Sequence, residues 1–186
     1  YILMNDATSF LIEPKIQFSS VFSSDRTDEV PNRDSAEFSL DQANLFLNNQ
    51  FQGRDNIQEN NRLNLGITSL VMTENLGDIN FFIGQSQKVS GTQKNVTLAK
   101  EDRQSHIINS IDWNPSKMYK FSWFSLYNHH NFKSDTSDFN FNGSFNGWSY
   151  SANHKSVDGE FISNNIDREE LKLGLSKNFL NWITSY

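Results

Sequence analysis

The sequence predicts an all-β protein: an antiparallel meander of about nine strands that forms part of a larger transmembrane β-barrel, with short periplasmic turns alternating with long outer loops. Three observations carry this. Apolar and polar residues alternate through segment after segment. The connections alternate long and short. Aromatic residues gather at the ends of the segments, beside the short connections.

The elements follow in order. Residues 8–24 alternate, with Phe10, Ile12, Pro14, Ile16, Phe18 and Phe22 on one side and Leu11, Glu13, Lys15, Gln17, Ser19 and Val21 on the other. Residues 62–72 put Leu63, Leu65, Ile67 and Val71 on one face, and 78–88 do so with Ile79, Phe81 and Ile83. Residues 104–113 are less regular, because Ile108 opposes Ile107, Ile111 and Trp113. Residues 118–128 align Tyr119, Phe121, Trp123 and Tyr127; 137–145 align Phe139, Phe141 and Phe145; 148–154 align Trp148, Tyr150 and Ala152. Residues 168–176 set Leu171, Leu173 and Leu175 against Glu170, Lys172, Gly174 and Ser176, and 182–186 begin another strand. No helical pattern of useful length competes, although 36–49 has room for a short helical turn.

The connections are 25–61, 73–77, 89–103, 114–117, 129–136, 146–147, 155–167 and 177–181. The short ones carry turn chemistry: "NPSK" at 114–117, and Asn146-Gly147 as a type I′ candidate. Trp113 and Tyr119 flank one short turn, Phe145 and Trp148 the next, and Phe179 and Trp182 the last. Rings in those places suit the interfacial girdle of a membrane barrel. The apolar face, with Phe10, Ile12, Ile16, Phe18, Leu63, Leu65, Ile67, Phe81, Phe121, Trp123, Phe139, Phe141, Leu171, Leu173 and Leu175, is expected to meet lipid. The other face is expected to meet a wet lumen. A soluble sheet with one buried face shows the same alternation, but needs a second layer that no helix supplies. Pro14 fits poorly within a ladder, so either residues 8–13 precede regular pairing or Pro14 marks a bulge.

Composition limits the alternatives. The 186 residues are enough for one domain, which reads as a fragment of a longer chain. Hydrophobic residues are only 36%, yet aromatics reach 13%, which argues against disorder. A net charge of −6 disfavours a nucleic-acid partner. With no cysteine there is no disulfide or thiolate metal site. No run approaches the roughly 18 apolar residues of a transmembrane helix.

The segment "TSFLIEPKIQF", followed by "NRDSAEFSLDQANLFLNNQFQGRDNIQENNRLNLGITS", resembles the C-terminal barrel of the LptD family, the lipopolysaccharide-assembly or organic solvent tolerance proteins of Gram-negative outer membranes. The matching residues are Glu13, Pro14, Lys15 and Gln17; Asp34, Ser35, Leu45 and Phe46; and Phe51, Gly53, Asp55, Ile57, Asn61, Arg62, Gly66, Thr68 and Ser69. "FFIGQ" at 81–85 and "REELKLGLSKNFLNWIT" at 168–184 resemble later strands. Asn56 stands where arginine is usual and Ile12 where leucine is usual. The strong match covers residues 8–88.

The resemblance implies a very large barrel in the outer membrane that passes lipopolysaccharide sideways into the outer leaflet. It implies an LptE-like lipoprotein plug in the lumen and an LptA-like periplasmic bridge acting through an N-terminal domain outside this chain. The whole of 1–186 then belongs to one barrel domain. Residues 25–61 form a long outer loop, expected to fold over or into the lumen as a lid, because loops this long are usually functional or ordered on themselves.

Other chemistry is weakly supported. His129 and His130 are adjacent at a loop entrance and lack a third ligand at metal spacing. His106 and His154 read as lone residues on barrel walls or at loop ends. No nucleophile elbow or Ser-His arrangement stands out, so neither enzyme activity nor a cofactor is expected. Lys88, Lys94, Lys100 and Arg103 lie in or beside one outer loop, with Glu101 and Asp102 among them; a solvated mixed-charge loop explains them better than a phosphate site. A general or substrate-specific porin shares the barrel pattern without the Glu-Pro and Gly-x-Asp motifs. An outer-membrane lipid hydrolase is the remaining alternative.

Overall fold

The computed structural model describes residues 2–5, 8–20, 36–37, 40–47, 51–52, 60–91, 104–159, 166–179 and 182–185. The elements are β1 (Ile2–Asn5), β2 (Thr8–Ser19), β3 (Ala36–Glu37), β4 (Phe51–Gln52), β5 (Asn60–Thr73), β6 (Gly77–Gly91), β7 (Ile107–Ser116), β8 (Tyr119–Tyr127), β9 (Ser134–Phe145), β10 (Trp148–Val157), β11 (Arg168–Phe179) and β12 (Trp182–Ser185). Ten of them form one antiparallel sheet in the order β1-β2-β5-β6-β7-β8-β9-β10-β11-β12, and β3 pairs with β4. Among the described residues there is no helix, and the sheet does not close: β1 and β12 are its edges.

The expected meander is present, with three corrections. Among the described residues the sheet has ten strands, against the expected nine or so; β1 is short enough to hide in the opening residues. The strands are longer than the alternation suggested, and β6, β9 and β10 each run into a segment read as outer loop. "NPSK" is not the turn: β7 continues to Ser116 through a bulge, and the chain turns at Lys117-Met118.

Pro14 neither precedes the pairing nor sits in a bulge. It lies in register opposite Ile67, and residues 8–13 are paired on the same side throughout. β1 reaches only as far as Leu11 on the other side. A proline is tolerated where its missing N–H faces no partner strand. The bulges lie instead at Asn61/Arg62, Trp113/Ser116 and Leu126/Tyr127. The type I′ expectation holds: Asn146 (φ 49°) and Gly147 (φ 78°) both lie in the left-handed region.

The register unites the alternating faces. Phe18 opposes Leu63, Ile16 opposes Leu65, and Ile67 opposes Ile83. Phe81 opposes Ile111, Ile111 opposes Trp123, and Trp123 opposes Phe139. Ala152 carries the row from Phe141 to Leu173. One continuous apolar face therefore runs from β2 to β11, and the opposite face is mostly Asn, Ser, Thr and charged residues. A one-residue slip anywhere would break it. The buried apolar cluster is small and lies on the polar side: Leu40, Leu45, Phe82, Ile108 and Leu126, with Phe46 and Phe124 packed against it.

Candidate functional site

The site is built where residues 40–47 fold back onto the polar face. This segment is a turn, not a helix, and it holds itself together. The Asp41 and Asn44 side chains each accept the other's backbone N–H at 2.8 Å, and the Leu45 N–H donates to the Asp41 carbonyl at 3.0 Å. Such reciprocal side-chain caps fix a tight turn without a long helix. The turn projects Leu45 and Phe46 onto β5 and β6.

The receiving surface is made of glycine and amide groups. Gly66 and Gly84 face each other across β5 and β6. A Cβ on Gly66 would lie 2.8 Å from the Phe46 ring, and one on Gly84 would lie 2.6 Å from Leu45 Cδ2. The two glycines form a socket that any side chain would fill. Around it, Gln17 Nε2 donates to the Phe46 carbonyl at 2.9 Å, and Ser110 Oγ donates to Gln42 Oε1 at 3.1 Å. The Arg62 guanidinium donates to the Leu47 carbonyl. Lys15 Nζ stands 4.5 Å from the centre of the Phe46 ring, a favourable cation–π geometry.

A relay of hydrogen bonds runs on from there. Asn64 Nδ2 donates to Gln17 Oε1 at 3.0 Å, Ser86 Oγ to Asn64 Oδ1 at 2.6 Å, and the Ser86 N–H to Ser105 Oγ at 2.8 Å. Asn64 and Ser105 are fully buried. Buried amides and hydroxyls are tolerable only when satisfied in this way.

Lys15, Gln17, Phe46, Arg62 and Gly66 were singled out from separate stretches of sequence, and the structure brings them to one place. Asn61 is beside it, where its Nδ2 donates to Ser90 Oγ at 2.8 Å. The bulge at Asn61/Arg62 shifts the register there. Glu13 is exposed on the same face, and Pro14 lies on the other. Asp34, Gly53 and Asp55 lie outside the described residues, as do Phe22, Ser35, Asn56, Ile57, Lys94 and Lys100 to Arg103.

Phe82, Ile108, Phe124 and Leu126 are the residues that sequence reasoning missed. They interrupt the polar face under Leu40 and Leu45. The off-phase Ile108 was the signal that could have found them: an apolar residue on a polar face needs a cover.

The apolar face places Phe10, Ile12, Ile16, Phe18, Leu63, Leu65, Ile67, Phe81, Phe121, Trp123, Phe139, Phe141, Leu171, Leu173 and Leu175 in one surface, by the register above. Ile16 is 74% exposed and Leu173 73%. No described residue covers them, although unpaired apolar patches of this extent are rare on soluble monomers. Near the short turns, Trp113 stacks on Phe121 at 5.2 Å, and Phe121 lies 4.9 Å from Phe141. Tyr119 stacks on Phe141 at 6.3 Å, and the Trp113 indole donates to the Leu76 carbonyl at 2.7 Å. Phe145 and Trp148 pair beside the Asn146-Gly147 turn, with Lys177 Nζ 4.7 Å from the Trp148 ring. Trp182 begins β12, opposite Phe179.

His106 lies at a loop end, just before β7, but it is not alone. Its Nε2 lies 2.6 Å from Asp135 Oδ2, both side chains being nearly buried. The His129 and His130 rings are 3.9 Å apart in the β8–β9 turn. No three His, Asp or Glu side chains among the described residues are grouped to hold a metal.

The protein is thus defined as a two-faced antiparallel wall, apolar on one side and polar on the other, with a segment of its own chain docked on the polar side. Residues 2–180 match the family described as LPS transport system D, and the chain belongs to that family, LptD. It is similar to the LPS-assembly protein LptD of Pseudomonas savastanoi pv. phaseolicola, at 38% identity over 64 residues. The LPS-assembly protein LptD of Pseudomonas syringae pv. syringae matches at 36% identity over 64 residues. Each match covers 34% of this chain and 7% of the relative, so this chain corresponds to a small part of those proteins. Proteins of the family serve lipopolysaccharide transport and assembly at the outer membrane of Gram-negative bacteria, and the all-β structure agrees with that setting.

Proposed function

We propose that this chain is part of the barrel wall of an outer-membrane translocon that inserts lipopolysaccharide into the outer leaflet. The observation that supports this best is the apolar face, held in register from β2 to β11 and largely uncovered. Bilayer lipid is the solvent that such a face needs, and strands of about 9–11 residues suffice to cross a bilayer at a tilt. On this reading the short turns are periplasmic and the long connections face outwards.

The polar face then lines a wet lumen, where hydrated sugars pass without being tightly held. Within the larger barrel an LptE-like lipoprotein would fill part of the lumen, and an LptA-like bridge would deliver substrate through a separate periplasmic domain. The docked 40–47 turn belongs to the long 25–61 insertion and acts as a lid on the lumen wall.

The test is depletion of the full-length protein from a repressible promoter while newly made lipopolysaccharide is followed to the cell surface. Lipopolysaccharide should stall inside while other outer-membrane proteins still assemble. Normal arrival with reduced uptake of small solutes would instead identify a porin.

A further inference from the structure

The 40–47 turn occupies the polar face over β5–β8, and no described residue covers the polar face of β9–β11 beside it. There, at the short-turn end, lies a hollow of about 950 Å³ that touches Glu74 in the β5–β6 turn and Ser176 in β11. It is large enough for a bulky ligand, at the upper end of ordinary binding cavities.

Its chemistry is distinctive. Asn142, Ser144, Ser149, Ser151 and Ser176 line its floor. None of these side chains hydrogen-bonds to another described residue. Deeper along the same strands the situation is different: Asn153 Nδ2 donates to Asp138 Oδ1 at 2.9 Å and to Asn140 Oδ1 at 2.6 Å, and Asn140 Nδ2 donates to Asp138 at 2.7 Å. That ladder satisfies itself, whereas the hollow presents hydroxyls and a carboxamide outwards. The charged residues of the lining are Glu74, Asp78, Lys117 and Lys120, which cancel. A net-neutral lining with donors and acceptors mixed does not select a phosphate, which calls for clustered cations. It matches the hydroxyl groups of a saccharide.

We propose that this hollow is a saccharide-contact site, where the sugar head group of the translocated glycolipid first meets the wall at the periplasmic mouth. The proposal rests on the translocon reading. The head group exchanges water for Asn142, Ser149 and Ser151, one bond at a time, and no cation holds it in place.

The experiment uses the full-length protein in cells. A photo-cross-linking side chain replaces Ser151 in one strain and Leu173, exposed on the apolar face and outside the hollow, in another. Irradiation should join sugar-bearing lipopolysaccharide to position 151 and not to position 173. No adduct at 151, in cells whose lipopolysaccharide still reaches the surface, would overturn the site and leave the translocon reading standing. If depletion of the protein leaves lipopolysaccharide delivery normal, both fall. Ser151→Trp, which narrows the hollow and removes a hydroxyl from its floor, should slow delivery of complete lipopolysaccharide by about tenfold, the effect of losing one or two net hydrogen bonds. It should slow a glycolipid lacking the outer sugars far less, and equal slowing of both would overturn the proposal. Should that variant fail to assemble, the cross-link alone decides.

Discussion

Gly66 and Gly84 carry the sharpest demand at the scale of single residues. Each leaves room for a side chain of the docked turn, Phe46 over the first and Leu45 over the second. Overpacking of such a seat costs about 1–3 kcal/mol, which shifts a docked-to-undocked ratio by about fivefold or more. Gly84→Val should therefore release the turn and sensitise cells to bulky antibiotics, as deletion of residues 40–58 should. Unchanged antibiotic susceptibility in both strains, with the protein assembled at normal levels, would contradict the lid. Gly66 and Phe46 were both visible in the sequence as matching positions, but their contact was not, because they lie 20 residues apart through a segment with no alternation of its own. The His106–Asp135 pair was invisible for a related reason. Asp135 is the residue skipped between Ser134 and Thr136 when the register shifts opposite Leu126 and Tyr127, and alternation says nothing about where a bulge falls.

The elements themselves were largely legible. β11 shows why: Leu171, Leu173 and Leu175 alternate with charged or small residues over a stretch with no competing period. β1 was not, since a four-residue strand gives too few repeats to read. β7 was blurred by Ile108, whose phase belongs to the docked turn rather than to the apolar face. Between β9 and β10 the turn was legible down to its type, because Asn-Gly is the pair that tolerates two left-handed residues. Gly147→Val should cost about 1–2 kcal/mol, the ordinary penalty for an L-residue in that region. The full-length protein should then lose its heat-resistant folded band in gel electrophoresis at a lower temperature than the parent. An unshifted transition would mean that this hairpin contributes little to the assembled barrel.

For the molecule as a whole, the central claim is that one face of the sheet meets lipid and the other meets water. Among the described residues the sheet is open at β1 and β12, and open edges are prone to pair with other strands. The stretch aligned with each relative is 7% of that relative. The sequence conveyed the two faces but not the partial cover on one of them, because cover depends on contacts between segments far apart in the chain. The most direct measurement is site-directed spin labelling along β11, at positions 170 to 176, in the full-length protein in its membrane. Labels at 171, 173 and 175 should be accessible to lipid-soluble oxygen, and those at 170, 172, 174 and 176 to a water-soluble nickel complex, with a period of two residues. Equal access to the nickel complex at every position would place water on both sides of the sheet and contradict the barrel-wall account.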